Sequence, residues 1–205
     1  LTRQAFCVSL TPAWTSPSAP FLSSSGNIAP KRAHLCGGNA MAILIKNAST
    51  VVTMDDAQSE PSHVDIRIDQ GVITEIGKGL DSTGETIDAS GCVVTPGLVN
   101  THHHLHQSLT RAVPGGQDAL LFGWLKTLYP IWARFGPEEM YVSAQIGLAE
   151  LALSGCTLTS DHLYLFSNGA RLDDTISAAA DIGMRFHPTR GAMSIGESDG
   201  GLPPD

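Results

Sequence analysis

Four of the chain's eight histidines stand within five residues, at His102, His103, His104 and His106, in the run Pro96-Gly-Leu-Val-Asn-Thr-His-His-His-Leu-His-Gln107. On an extended strand successive side chains alternate faces. His102 and His104 therefore project together, about 6.6 Å apart along the chain, and His103 projects the other way. Two neutral imidazoles so spaced can converge on one divalent ion at metal–nitrogen distances of about 2.0–2.1 Å. Such an ion lowers the pKa of a bound water toward neutrality and supplies hydroxide at physiological pH. Spacing alone leaves other readings open: a surface coincidence, or a tract that takes up metal adventitiously. Nor does the pair choose its metal, because imidazole accepts zinc, iron, nickel and copper.

The elements around the cluster must hold it in place. Leu98 and Val99 make the residues before it apolar, which predicts a buried strand with the histidines at its carboxyl end. Downstream the texture is that of alternating helices and short strands. Helices are expected over 118–128, 138–153 and 172–182, and strands over 156–160 and 184–189. Gly136-Pro137 opens the second helix, with Glu138 and Glu139 in its first turn, where acids suit the helix dipole. Its residues Ala144, Leu148, Leu151 and Ala152 keep helical spacing and are expected on one buried face. Strand–helix–strand order with short loops indicates parallel βαβ units, and three barrel-type strands fit before Asp205. Trp124, Tyr129 and Trp132 read as packing residues rather than a stacking platform.

Upstream, Met41 to Thr95 is strand-like. Val64, Ile66 and Ile68 alternate with Asp65, Arg67 and Asp69, a half-buried strand closed by an Asp69-Gln70-Gly71 turn. Ile43–Ile45 and Val51-Val52 flank Asn47-Ala-Ser, which reads as another turn. The expectation is a small antiparallel β unit over 41–95. Residues 1–40 differ again: Ser9 to Pro30 is rich in Ser, Pro, Thr and Ala and lacks acids, a composition expected to be disordered. It reads either as an organelle-targeting segment or as translated upstream sequence ahead of Met41, a non-native leader.

Charge and cysteine usage exclude several classes. Residues 1–40 hold only Arg3, Lys31 and Arg32, so nine basic residues face all 20 acidic ones in the remainder. A body this acidic repels phosphate backbones, so nucleic acid is not an expected partner. Cys7, Cys36, Cys92 and Cys156 form no close pair, which argues against a disulfide scaffold or thiolate zinc site and fits a reducing, cytoplasmic location. No apolar run approaches the roughly 18 residues of a membrane span, so no membrane association is expected. The His-x-Glu and Pro-Cys-x-x-Cys elements of nucleic-acid-editing deaminases are absent.

The run Pro96-Gly-Leu-Val-Asn-Thr-His-x-His, preceded by a β unit with an Asp-Gln-Gly turn, resembles the opening of the amidohydrolase superfamily. The resemblance covers residues 41–205. The segments His102–Arg111, Ser160-Asp-His-Leu-Tyr164 and His187-Pro-Thr-Arg-Gly191 look most like 8-oxoguanine deaminases and hydroxyatrazine-type aminohydrolases. The resemblance implies an α/β fold: half of a small β-sandwich over 41–95, then the first three strand–helix units of a metal-dependent (β/α)8 (TIM) barrel over 96–205. It makes His102 and His104 the first two metal ligands, zinc being the expected ion and iron the alternative. Gln107, His162 and Arg190 become candidate substrate contacts. An amide offers both donor and acceptor to a ring edge, and a fixed guanidinium can hydrogen-bond a ring carbonyl. Each also has a plainer reading: Gln107 as a polar loop residue, and Asp161 or His162 as members of a buried hydrogen bond. His103 and His106 are expected to be structural or to stand behind the ligands.

The implied activity is hydrolytic deamination of a purine- or triazine-like ring, a small-molecule substrate, with release of ammonia. In the resembled superfamily a further His ligand, an acid–base Glu, another His and a metal-binding Asp come from later strands. No catalytic acid–base residue is therefore assigned here, and these 205 residues alone are expected to be inactive. Other readings stay open: a guanine- or adenosine-type deaminase, a triazine chlorohydrolase, a cyclic amidase, a non-catalytic metal-binding pseudoenzyme, or a structural α/β module. Homo-oligomerisation is compatible with an enzyme of this size class.

Overall fold

The computed structural model describes residues 42–81 and 84–201. The expectations for residues 1–40 lie outside the described residues. The chain divides into two compact units, which part between Gly97 and Leu98.

The first unit is a five-stranded sheet. Strand β1 (Ile43–Val51) lies at its centre, β2 (Ser62–Asp69) and β3 (Val72–Gly77) to one side, and β4 (Glu85–Asp88) and β5 (Val93–Val94) along the other. The alternation in β2 decides its packing: Val64, Ile66 and Ile68 join Ile45, Ala48 and Val51 in one apolar cluster. Asp69 pairs with Val72 across a two-residue turn, Gln70 and Gly71, whose φ values of 49° and 79° match the twist of a hairpin.

Two expectations fail here. The unit is mixed rather than antiparallel, because β4 and β5 both run parallel to β1. Asn47-Ala-Ser does not turn the chain. It is a bulge inside one continuous strand, with Asn47 at φ 60° and the register to β2 shifting between Ile45 and Ala48. An extra residue in one strand bends it without ending it. Buried Asp65 accepts the bulged Asn47 N–H at 2.8 Å and the Leu80 N–H at 3.0 Å.

The second unit carries a three-stranded parallel sheet, β6 (Leu98–Asn100), β7 (Cys156–Leu163) and β8 (Arg185–Arg190), with β7 central. A 3-10 turn over Leu105–Thr110, α1 (Leu121–Trp132) and α2 (Pro137–Leu153) join β6 to β7, and α3 (Leu172–Ile182) joins β7 to β8. The described residues thus form a mixed α/β structure.

The first helix sits later than its apolar spacing suggests. It runs through Pro130 to Trp132, although a proline inside a helix gives up one i→i−4 hydrogen bond. Its Trp132 is fully buried, with Trp124 and Tyr129 edge-on at 5.3 and 5.7 Å, so these rings do pack as a core. On α2 the buried stripe is Met140, Ser143, Ala144, Gly147 and Leu148, whereas Ala152 is exposed, because the stripe faces the 3-10 turn and α3 only over its first three turns. Gly147 marks the closest approach: a Cβ there would lie 2.7 Å from Leu105 Cδ2 and 2.8 Å from Ser108 Oγ. Strand β6 stops at Asn100, so the histidines follow it as extended chain rather than within it, while the His162 N–H donates to the His103 carbonyl at 2.9 Å. Among the described residues no helix is long and apolar enough to cross a membrane.

Candidate metal and substrate site

The extended run after β6 brings the His102 and His104 rings together, their centroids 5.0 Å apart and their planes nearly perpendicular. His102 is exposed and His104 half-buried. Nδ1 of His104 lies 2.8 Å from the carbonyl oxygen of His162 on β7. A carbonyl can only accept, so Nδ1 carries the proton and Nε2 keeps its lone pair. A metal-ligating histidine characteristically gives its other nitrogen to such a partner, which fixes both tautomer and ring orientation. The donor chemistry of the pair therefore fits a divalent ion. Among the described residues no three His, Cys, Asp or Glu side chains converge on a common point, so two imidazoles are what this segment offers.

Behind the pair the surroundings become dry. His106 is fully buried with no hydrogen-bond partner on either ring nitrogen among the described residues, and burial pushes its pKa down to about 3. It packs edge-on against Trp132 at 5.1 Å and Tyr164 at 5.2 Å, so it serves the interior. His103 likewise buries an unpartnered Nδ1, and burial lowers its pKa. Asp161 is fully buried on β7. One of its oxygens accepts the Leu105 N–H at 2.8 Å and the other has no partner, and burial raises the carboxyl to about 6 against the opposing pull of that N–H.

The three candidate substrate residues fare differently. Gln107 lies half-buried in the 3-10 turn, near enough to Tyr164 to oppose the rise that burial imposes on the phenol's pKa. The His162 ring lies 5.5 Å from His104 and 5.8 Å from Tyr164, so it belongs to the same cluster. That placement needs Gly191: a Cβ there would stand 2.6 Å from His162 Nε2 and 2.9 Å from Tyr164 Cβ. Arg190, at the end of β8, instead lays its guanidinium over the Phe166 ring at 4.9 Å.

Tyr164 is the residue that sequence reasoning missed. It touches His104, His106 and His162, with centroids 5.4, 5.2 and 5.8 Å away. Its signal was available, because it follows His162 by two positions and so shares its strand face.

A family model, the amidohydrolase family, matches residues 93–200, more than half of the chain and all the residues just described. The chain belongs to the amidohydrolase family. This amidohydrolase chain is 55% identical over 119 residues to the 8-oxoguanine deaminase of Pseudomonas aeruginosa, covering 57% of the chain and 26% of that relative. It is 42% identical over 160 residues to an isoxanthopterin deaminase from an unknown prokaryotic organism, covering 74% of the chain and 33% of the relative. Among solved structures it is similar to the atrazine chlorohydrolase of Arthrobacter aurescens TC1 complexed with zinc. That match has a TM-score of 0.70 and 35% identity, and covers 78% of this chain and 38% of the other. The chain thus spans between a quarter and two fifths of the lengths of these relatives.

Proposed function

We propose that the protein carrying this chain is a metal-dependent hydrolase that removes an amino group from a purine- or triazine-like ring, with 8-oxoguanine the first substrate to test. The observation that carries the reading is the His104 Nδ1 bond to the His162 carbonyl, which leaves Nε2 free to coordinate. The 55% identity to an 8-oxoguanine deaminase supports the choice of ring.

In this reading His102 and His104 hold a divalent ion, zinc first and iron second. When bound, the ion supplies Lewis acidity and lowers the pKa of water, so that a nucleophile for hydrolysis is available near neutral pH. Gln107, beside Tyr164, presents its amide to the amide-like edge of the ring. His162 walls the ring on the side of β7. Arg190 swings from its seat on Phe166 to a ring carbonyl, which a guanidinium can meet with fixed geometry. None of these residues is assigned the proton transfer to departing ammonia.

The same reading takes 96–205 as the first three strand–helix units of a (β/α)8 barrel, with the histidines at the carboxyl end of a strand, where such barrels build their sites. Leu98 and Val99 on β6, expected to be buried, are instead each 56% exposed, in a parallel sheet of the kind normally covered on both faces. Residues 41–95 are read as part of a small β-sandwich, and the whole as a cytoplasmic enzyme able to form homo-oligomers.

The test is ammonia release by the purified full-length protein that carries this chain, zinc-loaded and chelator-stripped, from 8-oxoguanine, isoxanthopterin, a hydroxytriazine, guanine and adenosine. Zinc-dependent release, fastest from 8-oxoguanine, is expected. Release that survives complete metal removal, or none from any aminated ring, overturns the proposal.

A further inference from the structure

The peptide that follows His104 is held from both sides by buried side chains of other elements. Leu105 N–H donates to Asp161 Oδ1 on β7 at 2.8 Å, and the Leu105 carbonyl accepts the Ser143 hydroxyl of α2 at 2.7 Å. Asp161, Ser143 and Leu105 are all at 0% exposure, and α2 comes close enough at Gly147 to leave no room for a Cβ. His104 is the residue at which the extended run turns into the 3-10 turn, and its own side chain caps nothing there. With the following peptide fixed in two directions, its backbone has no freedom to tilt the imidazole away from the His162 carbonyl.

We infer that Asp161 and Ser143 are positioning residues for the metal-binding ring of His104, clamping the Leu105 peptide so that Nε2 is aimed before any ion arrives. The inference rests on the metal-site reading given above. Asp161 acts through one hydrogen-bond-accepting oxygen, not as a ligand. Its second oxygen is buried without a hydrogen-bond partner among the described residues. Outer partners of this kind typically change metal affinity by about 10–100-fold when removed.

The experiment measures zinc affinity of the purified protein by competition with a chromophoric chelator, together with the visible absorption of the cobalt(II)-substituted form. Wild type, Asp161→Asn, Asp161→Ala and Ser143→Ala are compared well below their melting temperatures. Asparagine keeps an acceptor oxygen for the Leu105 N–H, so Asp161→Asn is expected to bind zinc within about 3-fold of wild type with an unchanged cobalt spectrum. Asp161→Ala is expected to lose about 10–100-fold with a shifted spectrum, and Ser143→Ala a smaller part of that. Should Asp161→Ala fail to fold, Ser143→Ala and Asp161→Asn still decide the matter. Asp161→Asn as weak as Asp161→Ala would show that the charge acts rather than the clamp, and Ser143→Ala with wild-type affinity and spectrum would remove its second arm. Either result overturns the inference while leaving the metal site standing. A wild-type protein that binds no zinc overturns the metal reading itself and the inference with it.

Discussion

Nδ1 of His104 and the carbonyl oxygen of His162 stand 2.8 Å apart, a bond between the histidine run and the neighbouring strand across 58 positions of sequence. It sets the tautomer of His104 without any metal. In the metal-free protein, nitrogen-detected NMR is therefore expected to show the neutral form of His104 as the Nδ1–H tautomer. A neutral ring with its proton on Nε2 would contradict the geometry.

Gly191 gives way to nothing larger. Its missing Cβ is what lets the His162 ring lie 2.6 Å from that position, with Tyr164 at 2.9 Å on the same side. Gly191→Ala is expected to cost about 1–3 kcal/mol by overpacking. Denaturant titration reads the loss, and a variant as stable as wild type would mean that His162 moves aside freely.

His106 is a polar ring in an apolar place. It is fully buried, neither nitrogen is hydrogen-bonded, and its neighbours are Trp132 and Tyr164. A buried donor without a partner costs about 1–3 kcal/mol, so His106→Phe is expected to raise stability by about 1 kcal/mol at pH 7. A fall in the denaturation midpoint would show that the ring has a partner the fold depends on.

Asp65 links the bulge of β1 to Leu80, and the N–H groups of Asn47 and Leu80 hold its carboxyl below the usual carboxylate range. Its folded pKa is depressed, so its contribution is complete above the unfolded value of about 3.9 and is lost as pH falls through the lower, folded one. Asp65→Asn is expected to flatten the acid side of the stability curve below about pH 4. Asp65→Ala is expected to cost about 2–4 kcal/mol at pH 7, because two N–H groups lose their acceptor. Unfolding curves from pH 2 to 7 compare the three proteins, and parallel acid limbs would refute the assignment.

Much of the local structure was written in the order of residues. The period-two alternation of Val64, Ile66 and Ile68 specifies β2 and its buried face, and the apolar and acidic pattern over 172–182 specifies α3 at both ends. Both are properties of a short window, in which side-chain direction follows from backbone period alone. The histidine spacing and the residue types at the candidate site were legible for the same reason.

Partnership was not. Nothing within Asn47-Ala-Ser distinguishes a turn from a bulge, because the difference is whether β2 continues to pair beyond it, as it does from Ala48 to Val64. Likewise nothing local marks β4 and β5 as parallel partners of β1, since strand direction depends on where the chain returns. The residue types by themselves determined that imidazoles, an amide, a phenol and a guanidinium were available. Only the tertiary structure decided which atom of His104 is free, that Asp161 grips the Leu105 peptide, and that Tyr164 stands among the histidines. Hydrogen bonds and ring contacts of that kind join residues far apart in the chain, and their geometry exists only once the strands and helices have packed.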